Sequence, residues 1–162
     1  MFITSKSFNP GEEAELPLLL NTAPKGLAGY EISVLVEDPS VAEIVGVTFP
    51  EWAKLKDSAV KGNSASLKAV DLEDEVKANV SSINLATLRL KATGAGETTL
   101  KLTVIKMDDD EGNPITPYVK QGKLTVAAAK QTQPAREIYL LILVAIIASI
   151  ASVISRSRRK RQ

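Results

Sequence analysis

The chain has 162 residues and contains neither cysteine nor histidine. It therefore offers no disulfide, no thiolate ligand or nucleophile, and none of the imidazole groups that most often act as general bases or metal ligands. The net charge of +1 hides a division, because residues 1–135 hold 14 Lys+Arg and 18 Asp+Glu whereas residues 136–162 hold 6 Lys+Arg and 1 Glu. The mildly acidic N-terminal part argues against nucleic acid as its partner.

Strand patterns fill the N-terminal part of the chain. Apolar residues occupy alternate positions in EAELPLLL (13–20), EISVLVE (31–37), ATLRLKA (86–92) and TLKLTVI (99–105), and KLTV (123–126) ends the series. A period of two with polar residues between predicts antiparallel strands that each have one solvated face. Pro17 cannot donate a ladder hydrogen bond, so its strand should lie at a sheet edge or be locally irregular.

Turn signals separate these strands. NPGEE, APKG, EDPS, TGAGE and DEGNP contain the glycine, proline, asparagine and aspartate residues that favour turns. The short TGAGE connection predicts a hairpin between residues 86–92 and 99–105. Residues 74–82 are the least strand-like and predict a loop or one short helical turn. The spacing of strands and turns predicts an all-β sandwich over residues 1–126.

The order of these segments resembles a known family. NPGEEAELPLLLNTAPKGLAGYEISVLVEDPSVAEIVGVTF (9–49) is similar to the opening half of a cohesin domain, and LATLRLKATGAGETTLKLTV (85–104) and DDDEGNPI (108–115) are similar to later cohesin segments. The resemblance covers residues 8–126. It implies a jelly-roll β-sandwich of about nine strands, related to carbohydrate-binding modules, that binds dockerins or serves as a cell-surface interaction module. No dockerin repeat is present, and no cohesin contact residue maps onto this sequence.

The acidic segments are weak candidates for a ligand site. Asp108 and Asp110, followed by Gly112, resemble part of a calcium loop, but the full pattern and its terminal glutamate are missing. A solvated turn is the favoured interpretation of residues 108–113, as it is for DLEDE (71–75). No spacing selects a catalytic carboxylate pair, and we predict no enzyme activity and no cofactor.

Asn79 and two aromatic residues are further candidates. Asn79 begins the tripeptide NVS, an acceptor for N-glycosylation if the domain lies outside the cell. Tyr30 and Trp52 are expected to be partly buried. The alternative, a stacking platform for polysaccharide, is less favoured because aromatic residues make up only 4% of the chain.

Residues 138–155 predict a transmembrane helix. They contain no charge, and a helix of this length spans about 27 Å of a hydrocarbon core of roughly 30 Å. Five cations follow, and they are expected to contact lipid headgroups on the cytoplasmic side: Arg156, Arg158, Arg159, Lys160 and Arg161. Small residues could let a second helix approach closely: Ala145, Ala148, Ser149 and Ser152.

This arrangement predicts a single-pass membrane protein with an extracytoplasmic N-terminal domain, a linker at residues 127–137 and a cytoplasmic tail at residues 156–162. MFITSKSFNP lacks the apolar core of a signal peptide, so either a leader was removed or is not included, or the chain is inserted tail-first with its domain in the cytosol. The short linker favours an accessory or scaffold subunit of a membrane or surface complex. A dockerin receptor and a cell-surface carbohydrate-binding module are the alternatives.

Overall fold

The computed structural model describes residues 1–128. These residues form ten β-strands. In chain order they are β1 (Phe2–Ile3), β2 (Lys6–Phe8), β3 (Glu13–Ala23), β4 (Gly29–Val36), β5 (Ala42–Thr48), β6 (Leu55–Lys61), β7 (Ser64–Val70), β8 (Val80–Ala92), β9 (Gly96–Asp108) and β10 (Gly122–Val126).

The strands form two sheets. The four-stranded sheet has the order β1-β3-β8-β5, and the six-stranded sheet has the order β2-β10-β9-β4-β7-β6. Neighbouring strands are antiparallel, except β2 and β10, which run parallel. The predicted all-β sandwich is confirmed, with ten strands in place of about nine, of which β1 and β2 have only two and three residues.

The alternating pattern explains the core between the sheets. Leu16, Leu18 and Leu20 of β3 are each at most 1% exposed, as the pattern of EAELPLLL predicts. The corresponding residues of the other long strands are also buried: Ile32, Val34, Val36, Leu88, Leu90, Leu100 and Leu102. Burying such side chains contributes about 1.5–3 kcal/mol each, so these residues largely determine which face of each strand turns inward.

Pro17 lies where the sequence predicted. It pairs with Thr87 of β8, and on its other side β1 reaches only Leu18 and Leu19. The β3–β8 register also shifts between Leu18 and Leu19. The missing N–H of proline is therefore tolerated beside an open edge and an irregularity.

The predicted hairpin between β8 and β9 is wrong. These two strands belong to different sheets, so residues 93–95 carry the chain from one sheet to the other. Thr93 and Gly94 both donate their N–H groups to the carbonyl of Val41, which fastens this crossing to the turn before β5. A Cβ at Gly94 would lie 2.6 Å from the Ser40 carbonyl oxygen. A short glycine-rich connection suits such a close crossing as well as it suits a hairpin.

The sequence pattern missed the true hairpin of the six-stranded sheet. β6 and β7 pair continuously from Leu55–Val70 to Lys61–Ser64 around a two-residue loop, in which Gly62 has a φ of +59°. A Gly–Asn loop is a hairpin signal, but β6 has no alternating burial to reveal it, since all seven of its residues are exposed. Residues 71–79 form the predicted loop, whereas β8 already begins at Val80.

Several predictions concern residues outside the described part. They are the transmembrane helix at 138–155, the basic tail at 156–162, and the helix contacts at Ala145, Ala148, Ser149 and Ser152. Among residues 1–128 there is no helix that is long and apolar enough to cross a membrane.

Candidate functional site: the outer face of the six-stranded sheet

Four adjoining strands of the six-stranded sheet present a broad outer surface. Tyr30, Ile32 and Val34 of β4 are buried, as are Ala65, Leu67 and Ala69 of β7, so the residues between them point outward. We call the outward surface of β6, β7, β4 and β9 the open face. The register places its side chains in rows that run across the strands.

One row of the open face alternates in charge. Asp57, Lys68, Glu31 and Lys106 are successive cross-strand partners. The Lys68 ammonium lies 3.1 Å from a Glu31 carboxylate oxygen, and both side chains are partly exposed. Lys106 is 2.8 Å from Asp108, whose hydrogen bond raises the pKa of the Lys106 ammonium. The row therefore presents fixed charges of both signs to an incoming surface.

A groove of about 500 Å³ opens beside this row. Its floor is Gly29, where an added Cβ would lie 2.8 Å from the Ala69 carbonyl oxygen. Since a side chain does not fit there, a depression remains between the flanking strands. Leu55 and Val70 form one wall, and they are 59% and 36% exposed. The groove thus places apolar side chains next to the charged row.

The middle of the open face is flat. Ala59, Ser66, Ser33 and Thr103 form a second cross-strand row of small side chains. On β9 the register with β4 shifts beside this row, and Ile105 at the shift is 57% exposed. A flat surface bordered by apolar and charged groups suits contact with another macromolecule better than enclosure of a small ligand.

Aromatic residues support the groove from beneath. Tyr30 is 5% exposed, and its hydroxyl donates to the Leu85 carbonyl at 2.5 Å, which ties the two sheets together. Burial raises the pKa of the Tyr30 hydroxyl. Trp52 meets the Tyr30 ring edge to face at 6.2 Å, and its indole N–H donates to the Asn84 carbonyl at 3.0 Å. Trp52 is partly buried, as expected, and Tyr30 is buried more deeply than expected. With Tyr30 buried and Trp52 only partly exposed, the pair forms no open stacking platform for a sugar.

The turn after β9 is held by its own backbone. The Asp109 carboxylate accepts the N–H groups of Glu111 at 3.0 Å and Asn113 at 2.8 Å. These bonds, the one from Asn113 first, lower the pKa of Asp109. Such a side chain mimics a turn of the backbone and needs no cation to explain it.

Asp108 and Asp110, the two calcium candidates, each contact other protein groups. Asp108 pairs with Lys106, and Asp110 lies against Gly26, where an added Cβ would fall 1.5 Å from a carboxylate oxygen. Burial raises the pKa of Asp110, followed by the charges of Asp74 and Asp71. No group of three or more acidic side chains within residues 1–128 is arranged to hold a metal ion.

Asn79 is the last residue of the 71–79 loop, directly before β8. It is exposed, has a φ of +66°, and its N–H donates to the Ala23 carbonyl. Its glycosylation stays a prediction. The open face is not visible in the sequence, because its rows depend on registers between distant strands. The local signal was limited to the separate charged residues of EISVLVE and KLKDSAVK.

Solved structures share this fold. The seventh ScaB type I cohesin from Pseudobacteroides cellulosolvens matches with a TM-score of 0.67 at 17% identity, over 84% of this chain and 96% of that one. A non-cellulosomal cohesin from the hyperthermophilic archaeon Archaeoglobus fulgidus matches with a TM-score of 0.63 at 17% identity, over 84% and 96%. A chain of the Coh-OlpA–Doc918 type I cohesin–dockerin complex from Clostridium thermocellum matches with a TM-score of 0.65 at 14% identity, over 77% and 96%.

The amino-acid sequence matches no protein-family model and no curated protein. The structural likeness, at these low identities, concerns the backbone fold. The described part of the chain therefore has the cohesin fold, in agreement with the sequence resemblance over residues 8–126.

Proposed function

We propose that residues 1–128 are a protein-binding domain without catalytic activity, which holds its partner on the open face of the six-stranded sheet. The chain as a whole acts as an accessory or scaffold subunit, anchored by residues 138–155 in a membrane. The N-terminal domain lies on the extracytoplasmic side and residues 156–162 on the cytoplasmic side.

The groove at Gly29 carries this proposal. Leu55 and Val70 expose apolar surface there, directly beside the charges of Lys68, Glu31 and Lys106. Protein interfaces commonly combine an apolar centre with a polar rim of this kind. Because charges of both signs alternate, the matching partner surface is also mixed in charge, with an apolar side chain that enters the groove.

The pairing of the charged groups favours recognition over catalysis. Lys68 pairs with Glu31 and Lys106 with Asp108, all at partly or largely exposed positions. Such exposed ion pairs offer a partner surface electrostatic attraction and fix the orientation in which it binds.

The linker favours a partner in or on the same membrane. Residues 127–135 would span about 15–18 Å as a flexible chain, so the domain would stay close to the bilayer. Tethering also raises the effective concentration of a neighbouring membrane protein, which compensates for a modest contact area.

A dockerin-binding surface module is the second candidate. It is favoured by the likeness to chains in type I cohesin–dockerin complexes, including Coh-OlpA–Doc918. In that case purified dockerin domains would bind the full chain directly, without any membrane subunit.

The test compares two exposed leucines. Leu55 lies in the groove and is 59% exposed, whereas Leu72 lies in the 71–79 loop and is 64% exposed. Leu55→Glu should remove a stoichiometric membrane protein that co-purifies in mild detergent from the native cells, and Leu72→Glu should leave it bound. Equal retention by both variants would refute the proposed surface. Loss of dockerin binding in Leu55→Glu alone would select the second candidate.

A further inference from the structure

The edge strand β6 is unprotected. It ends the six-stranded sheet, all seven of its residues are exposed, and it contains neither proline nor glycine. Its register with β7 is unbroken. The other edges are blunted, since β1 and β2 have two and three residues and β5 contains a register shift between Ile44 and Gly46. A long, regular edge strand is a ready template for pairing with another strand.

Hydrogen bonds next to the loop fix which backbone groups of β6 face outward. The Val36 N–H donates to the Asn63 carbonyl, and the Asn63 side chain donates to the Val36 carbonyl, so Asn63 faces β4. Backbone N–H and C=O groups alternate in direction along a strand, so those of Ser64 and Ser66 face β6. Their partners on β6 are Lys61 and Ala59, whose backbone groups therefore face β7. The N–H and C=O groups of the remaining β6 residues, Lys56, Ser58 and Val60, point away from the sheet.

The side chains of β6 carry a self-complementary charge pattern. Asp57 and Lys61 flank Ala59 and share its side of the strand, which is the open face. Among residues 1–128, neither charge takes part in any of the seven ion pairs. An acid and a base placed two residues to either side of a small residue would face each other if the same strand were laid antiparallel to itself.

We propose that β6 pairs with β6 of a second copy of this chain, antiparallel and centred on Ala59. Ser58 of each copy then exchanges main-chain hydrogen bonds with Val60 of the other. Asp57 of each copy lies directly opposite Lys61 of the other, and the two Ala59 residues meet at the two-fold axis. These registers follow from the alternation of an antiparallel pair.

The pairing extends the six-stranded sheet across two copies and leaves the open face uncovered. It is independent of the proposed partner site, because a monomer could still bind through the groove. The contact involves one short strand per copy, so it should be weak between free molecules and stronger between molecules confined together.

A single cysteine tests the centre of the contact in a chain that has no native cysteine. Opposed residues of a non-hydrogen-bonded antiparallel pair lie about 4.5 Å apart at Cα, a distance that a disulfide spans. Full-length Ala59→Cys should therefore form a disulfide-linked dimer under mild oxidation in detergent or membranes. Ser66→Cys is the matched control, since Ser66 is the β7 partner of Ala59 in the same row. It should stay monomeric, because the two copies would be separated there by about three strand spacings.

Charge variants in the Ala59→Cys background test the register. Asp57→Lys places lysine opposite lysine twice and should slow disulfide formation by about tenfold. The double swap Asp57→Lys, Lys61→Asp restores both opposite-charge pairs and should restore the rate. Both positions are exposed, so these changes leave the fold intact.

Three results would overturn the proposal. The first is the absence of a disulfide-linked Ala59→Cys dimer. The second is equal crosslinking of Ala59→Cys and Ser66→Cys, which would indicate random collision. The third is a slow rate in both the single and the double charge variant, which would indicate that Asp57 and Lys61 do not face each other.

Discussion

The outer faces of the two sheets differ although the same core supports both. On the four-stranded sheet, Glu13, Lys91 and Glu43 are cross-strand partners, and Glu15 opposes Arg89. The large apolar side chains exposed on that sheet are limited, in the described residues, to Val80, whereas the outer face of the six-stranded sheet exposes Leu55, Val70 and Ile105. One face is therefore typical of a surface that stays solvated, and the other has the mixed character of a contact surface.

A glycine in each sheet shows the same difference. Gly46 on the four-stranded sheet is covered by the Arg89 side chain, whose guanidinium would lie 3.1 Å from an added Cβ. Gly29 on the six-stranded sheet meets the backbone of Ala69 and Val70 rather than a long side chain, and it lines the groove. The comparison teaches that a strand glycine makes a site only where no long neighbour fills the space above it.

The largest expected effect comes from comparing a buried leucine of β7 with an exposed leucine of β6. Leu67→Ala removes a fully buried side chain beneath the open face and should lower the free energy of unfolding by about 2–5 kcal/mol. Leu55→Ala, on the neighbouring strand but exposed, should change it by less than about 0.5 kcal/mol. Urea titration of the full chain in detergent, followed by the fluorescence of the single tryptophan, measures both. Similar losses in the two variants would contradict the assignment of inner and outer faces.

A smaller effect tests the link between the sheets. Tyr30→Phe leaves the buried Leu85 carbonyl without its donor and should lower the free energy of unfolding by about 1–3 kcal/mol. Tyr118→Phe, at an 87% exposed position, should leave the free energy of unfolding unchanged in the same urea titration.

Alkaline pH gives an independent readout of the same residue. Burial raises the pKa of Tyr30 above its unfolded value, so the folded protein keeps a proton that the unfolded chain releases. Stability should therefore be fully present below about pH 10, the unfolded value, and should fall as pH rises above it. Tyr30→Phe should remove this part of the slope, and an unchanged slope would show that other groups cause it.

The sequence predicted those parts of the fold that depend on local alternation. The buried faces of β3, β4, β8 and β9 follow from residues such as Leu16, Ile32, Leu88 and Leu100, because a strand with one apolar side can bury only that side. The resemblance in residues 8–126 added the class of sandwich. Pro17 was informative because its missing N–H restricts the positions that it can occupy.

The other features of the fold and the site depend on contacts between distant segments, which a local sequence pattern does not contain. The same alternation is compatible with a hairpin and with a crossing between sheets, so the β8–β9 connection was assigned wrongly. The β6–β7 hairpin was missed because an exposed edge strand needs no apolar face. The open face arises from registers that bring Asp57, Lys68, Glu31 and Lys106 together from separate segments, and only the three-dimensional structure supplies these.

The central claim is that the partner covers the six-stranded sheet and leaves the four-stranded sheet free. Ser33 lies in the middle of the open face, and Thr87 lies on the outer side of the four-stranded sheet as the partner of Pro17 and Thr48. In the cysteine-free chain, Ser33→Cys and Thr87→Cys each provide one thiol for maleimide labelling in native membranes and after dissociation of the complex. We predict that the complex protects the thiol of Ser33→Cys and leaves that of Thr87→Cys reactive. Protection of Thr87→Cys alone, or free labelling of both, would contradict the account.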